Sequence, residues 1–64
     1  MKYPVIETYM IKHNLSLREF ANRCGVPSST MRRLLKGDTD PNKSTIDKIL
    51  LETGLNYEEC FREE

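Results

Sequence analysis

The stretch Leu15–Gly37, LSLREFANRCGVPSSTMRRLLKG, decides the fold. Ser16 and Glu19 stand at the spacing of a capping box, in which each side chain satisfies a backbone donor left orphan by the first helical turn. Leu15 precedes the cap, where a hydrophobic staple packs against Phe20. Phe20, Ala21 and Cys24 then repeat at helical spacing and mark an inward face. Gly25 ends that segment in a tight turn that needs positive φ, and Val26 drops back into the core. Pro27 suits helix entry, because its missing N–H would have no partner there. Met31 and Leu34 point inward with Thr30 beside them, and Gly37 closes the segment. The stretch is therefore two short amphipathic helices, about 16–24 and about 28–36, joined through Gly25.

Three more helices flank it. The first, about Val5 to His13, buries Ile6, Tyr9 and Met10 at i, i+3, i+4. Pro4 fits its entry and Asn14 closes it, since Asn tolerates the left-handed conformation. After a loop of Gly37-Asp38-Thr39-Asp40-Pro41, a fourth helix, about Lys43 to Thr53, buries Ile46, Ile49 and Leu50. Asn42 or Ser44 caps it and Gly54 stops it. Asn56 and Glu59 repeat the capping-box spacing for a last short helix, in which Tyr57, Cys60 and Phe61 face the core. No strand, repeat or linker is legible, so residues 1–64 read as one all-α domain of five helices. A chain this short buries a smaller share of its surface than a large domain, which favours a compact bundle.

Composition bounds the function. No apolar run is long enough to cross a membrane, and Met1-Lys2-Tyr3-Pro4 leads into an amphipathic segment rather than a secretion signal. A cytoplasmic location is expected. Cys24 and Cys60 are the only cysteines. Both fall at apolar positions, and with no close Cys-x-x-Cys pair to join His13 they read as buried free thiols, with no metal and no cofactor. His13 is the sole histidine, and no carboxylate pair, glycine-rich phosphate loop or nucleophile–base arrangement stands out, so the chain reads as non-enzymatic.

Net charge is zero, but its distribution is lopsided. Residues 1–36 carry seven Lys or Arg against two acids, a balance of plus five; residues 37–64 carry three against eight, a balance of minus five. A chain divided this way can present a basic face while staying neutral overall. On the third helix, with Met31 and Leu34 inward, Ser28, Ser29, Arg32, Arg33 and Lys36 fall on the outer side or its flanks. Small polar residues followed one turn later by arginine suit the major groove of double-stranded DNA. The serines let the backbone come close and bond base edges, and Arg32 reaches guanine O6 and N7 in bidentate fashion. Arg33 shares that role or binds a flanking phosphate. The orphan N–H groups around Ser16, Leu17 and Arg18 form an anion site at a helix start, with Arg18 adding charge. Lys36 and Lys43 bracket the loop near the other strand's backbone, as phosphate contacts.

Leu15-Ser16, Phe20-Ala21, Gly25-Val26, Met31, Leu34 and Gly37, followed by Pro41, Thr45-Ile46, Lys48-Ile49, Gly54-Leu55-Asn56 and Glu59-Cys60-Phe61, resemble the phage repressor and Cro-like helix-turn-helix family, also called the XRE family. The likeness runs from Ile6 to Phe61. It implies a five-helix, lambda-repressor-like DNA-binding domain that binds operator DNA as a twofold dimer, with the third helix as recognition helix. By the same resemblance, base reading falls to Ser28, Ser29, Arg32 and Arg33. Phosphate contacts fall to the start of the second helix and to Lys36 and Lys43. Three residues depart from the family pattern. Leu17 replaces a Gln that touches phosphate, Met10 and Leu35 replace an Arg–Glu pair, and Pro27 replaces a Ser cap. Exchanging both charged partners for apolar ones avoids leaving a lone buried charge.

The expected function is a sequence-specific transcriptional regulator, a repressor reading an inverted repeat. Two alternatives stay open on the sequence. One is a protein-interaction module on the same fold without DNA binding, for which exposed Leu17 and Leu35 would give footing; the other is a recombination accessory factor. The expected homodimer is weak and forms on DNA, through Tyr57, Phe61 and the loop from Thr39 to Pro41.

Overall fold

The computed structural model describes residues 2–63 and carries five helices in the expected order, with no strand among the described residues. Helix α1 spans Pro4–Lys12, α2 Leu17–Cys24, α3 Ser28–Lys36, α4 Lys43–Thr53 and α5 Tyr57–Cys60. Each boundary has a local cause. Pro4 occupies the first turn of α1, and Asn14 takes the left-handed conformation (φ 54°) beyond its end. At α2 the capping box is complete: the Glu19 N–H donates to Ser16 Oγ at 3.1 Å, and the Ser16 N–H donates to Glu19 Oε1 at 3.0 Å. Asn42, not Ser44, caps α4 by accepting the Thr45 N–H at 2.8 Å. Asn56 likewise accepts the Glu59 N–H at 2.8 Å, but only this half of the expected box is among the described hydrogen bonds.

The core comprises Tyr3, Ile6, Met10, Phe20, Ala21, Cys24, Val26, Met31, Leu34, Leu35, Ile49, Cys60 and Phe61. Helix α2 packs on α3 and α4, while α5 joins α4 to α1. Leu15 rests half-buried against the cluster, where a staple belongs. Tyr9 tethers α1 to the end of α4, its hydroxyl donating to the Glu52 carbonyl at 3.3 Å. The Cys24 thiol is pushed up to about 12, chiefly by burial and then by nearby Glu52 and Cys60. Cys60 is also pushed up by burial. Both thiols lie inside the domain.

Several expectations are corrected. Tyr57 does not face the core; it is 54% exposed and stacks on the outside of Phe61, ring centroids 5.3 Å apart. Helix α5 is a single turn, so only Cys60 and its C-cap Phe61 reach inward. Thr30 is exposed rather than tucked beside Met31, and Ile46 and Leu50 are half-buried, leaving Ile49 as the one fully buried residue of α4. Leu35 is buried, at 2% exposure, and Leu17 half-buried. Those two leucines therefore do not supply an exposed apolar surface; the strongly exposed apolar side chains are Ile11 and Leu51, at 74% and 87%.

The capping box also sets a pH dependence. The Ser16 backbone N–H, and secondarily its hydroxyl, hold the Glu19 carboxyl below the usual 4.5. With the folded value the lower one, this stabilisation is complete above the unfolded carboxyl's value and is lost as pH falls through the folded value. Glu19→Ala should therefore lose less melting temperature than the wild type on going from about pH 5 to about pH 3. Calorimetry showing equal losses would reject the contribution.

Candidate nucleic-acid interface

The turn between α2 and α3 fixes how the two helices present their outer faces. Gly25 sits at φ 76°, a conformation an L side chain rarely adopts. The Val26 N–H returns to the Ala21 carbonyl at 3.0 Å and the Gly25 N–H to Asn22 at 3.1 Å. These two bonds close the end of α2, and Val26, 6% exposed, anchors the turn in the core.

Burial of Leu35 orients α3. At about 100° per residue, Met31, Leu34 and Leu35 together define the buried direction. Opposite it, Ser29, Arg33 and Lys36 lie within roughly 35° of the outward centre. Arg32 and Ser28 fall on the flank nearer Leu35, roughly 70° or more away. The exposures agree: Ser29, Arg32, Arg33 and Lys36 are exposed, and Ser28 is half-buried. Leu35 follows Met31 by four residues, so the signal for its burial was present in the sequence.

Two grooves join α3 to α2. Arg18 and Ser28 share a groove of about 260 Å³ that Asn22 also lines, a position not singled out from the sequence. Leu17, Arg32 and Lys36 share another of about 350 Å³, with Leu35 at its floor. The candidate residues of α2 and α3 are thus brought together in two sets. The start of α2 differs in one respect from the expected anion site. The Ser16 N–H is already taken by the Glu19 carboxylate. The N–H groups of Leu17 and Arg18, which have no intrahelical acceptor, remain available there. Lys43 stands apart on α4, paired across one turn with Asp47 at 3.7 Å. Both side chains are well exposed, so that pair is weak and readily exchanged.

Charge pairing sorts the basic residues. Lys2 lies 3.8 Å from both Asp40 and Glu63, and Arg23 3.9 Å from Glu52, so these two cations face the acidic half of the chain. Among the described ion pairs none involves Arg18, Arg32, Arg33 or Lys36. The outer side of α3 therefore carries positive charge with no acidic partner among the described ion pairs, while at the start of α2 Arg18 stands beside the Glu19 carboxylate. A basic face of this kind attracts a polyanion.

A protein-family model described as Helix-turn-helix matches residues 6–60. No curated protein matches the chain. No solved structure matches it either. Among the described residues, no helix is long and apolar enough to cross a membrane.

Proposed function

Because the chain belongs to the XRE-type helix-turn-helix family of DNA-binding regulators, we propose that it is a repressor reading an inverted repeat through the major groove. The observation that carries the reading is the outer face of α3, where Ser29, Arg33 and Lys36 project together without acidic partners among the described residues. Ser29 and Arg33 sit at the centre of the base-reading surface, with Ser28 and Arg32 on its near flank. Arg33 is suited to bidentate recognition of guanine. Lys36, Arg18 and the Leu17 and Arg18 N–H groups bind phosphates, and Lys43 exchanges Asp47 for phosphate when DNA arrives.

One copy of the domain is too small to span two half-sites. Its principal extents are 23 × 22 × 20 Å, shorter than the roughly 34–36 Å between successive half-sites on one face of the duplex. One copy reads one half-site, and useful specificity needs two. Tyr57 and the Thr39–Pro41 loop are the surfaces we assign to a weak contact between copies; Phe61, 7% exposed, serves the core instead. Occupancy of a promoter by such a pair excludes competing proteins, which is the simplest route to repression.

Selection of binding sites from random duplex DNA tests the proposal. The expected product is an inverted repeat with half-site centres about 10–10.5 base pairs apart. Recovery of no common sequence at low salt would leave the interaction-module alternative standing; recovery of a lone asymmetric site would remove the dimer.

A further inference from the structure

Leu17 occupies a position where hydrogen bonding to phosphate is impossible for its side chain, yet it lies among the groove-facing groups. It is the first helical residue of α2, half-buried, and lines an open groove with Arg32, Leu35 and Lys36. Leu35 closes the floor at 2% exposure. Arg32 and Lys36 are exposed, and neither has an acidic partner among the described ion pairs. The site is an apolar notch with cations beside it, continuous with the outer face of α3. Its complement is a small apolar group carried on an anionic framework.

Duplex DNA offers one such group in the major groove, the C5-methyl of thymine, which projects from the base edge close to its own strand's phosphates. We propose that Leu17 is a base-reading residue, its side chain backed by Leu35 and taking a thymine methyl while Arg32 and Lys36 engage flanking phosphates. This deepens the proposed function and rests on α3 entering the groove. It also gives Arg32, on the flank of α3 nearest α2, a positioning role separate from base reading by Arg33. An acidic amphipathic peptide is the other occupant with the right chemistry. The continuity of the notch with the basic face of α3 favours DNA.

The test uses the full chain and the duplex recovered by selection, with each thymine replaced in turn by deoxyuridine, which lacks only the methyl. Wild-type protein should lose about fourfold in affinity at one thymine of a half-site, the worth of one buried methyl group at about 0.8 kcal/mol. Leu17→Ala should bind more weakly and be indifferent to deoxyuridine there, while Leu17→Met should keep the methyl preference. Wild-type indifference to every replacement would overturn the proposal, and so would a Leu17→Ala protein that keeps the full wild-type penalty. Those results, with Arg33→Ala still weakening binding, would remove the Leu17 contact alone; recovery of no specific duplex would remove the DNA reading with it. The deoxyuridine arm needs only wild-type protein, so misfolding of a variant does not decide the outcome.

Discussion

Arg33→Ala is expected to lower affinity for the selected duplex by roughly 5- to 150-fold per half-site, the range spanned by 1–3 kcal/mol for a bidentate arginine–guanine contact. In a site read by two copies the loss compounds, to about 30-fold or more. Binding to unrelated duplex should fall far less, because it depends on the number of phosphates neutralised rather than on which bases are met. The side chain is exposed and makes none of the described ion pairs, and Ala is the strongest helix former, so folding should be unaffected. Arg33→Lys sharpens the experiment. Lysine keeps the charge and loses the planar fork, so non-specific affinity should persist while guanine preference relaxes.

The comparison with Lys36→Ala separates two kinds of contact on one helix. A phosphate contact is worth nearly the same on every sequence, and its loss should reduce the slope of log affinity against log salt by about one. Fluorescence titration over a salt series, with selected and scrambled duplexes, measures both quantities. Equal losses on the two duplexes for Arg33→Ala would mean that Arg33 meets backbone rather than bases. The base-reading role on α3 would then rest on Ser29.

What was legible in the sequence is what short-range chemistry governs. The Ser16–Glu19 box, the left-handed Asn14, and the turns at Gly25 and Gly37 each depend on residues within one helical turn, and each was readable from spacing. The side-chain placement on α3 was half readable. Its apolar face is visible, but Met31 and Leu34 alone centre the outward side midway between the two arginines, and burial of Leu35 rotates it toward Arg33. Tyr3 and Tyr57 were not readable. Tyr3 is buried because it meets Phe61 edge-on at 5.2 Å from the opposite end of the chain, and Tyr57 is exposed because α5 ends after one turn. Nor could spacing show that Lys2 and Arg23 face acids of the other half, since Arg23 and Glu52 are brought together only by packing of α2 on α4. The surplus charge of residues 1–36 is therefore concentrated more narrowly on the candidate interface than the count suggests.

Leu35→Glu is expected to abolish the cooperative fold. A lone buried carboxylate costs about 3–5 kcal/mol, which is about the whole stability of a domain this small. Leu35 is 2% exposed, so a carboxylate placed there has no route to solvent without opening the core. Leu35→Met, which conserves volume, should cost less than about 1.5 kcal/mol and serves as the packing control. Introducing both charges, Met10→Arg with Leu35→Glu, should recover much of the loss. Met10 belongs to the same buried cluster, and a partnered carboxylate is spared most of the penalty of a lone one. Urea unfolding followed by circular dichroism measures all four proteins. A Leu35→Glu protein as stable as the wild type would put residue 35 at the surface. The outward face of α3 would then lie midway between Arg32 and Arg33, and the apolar notch that holds Leu17 would have no floor, so this stability measurement bears on the DNA-reading surface without any DNA present.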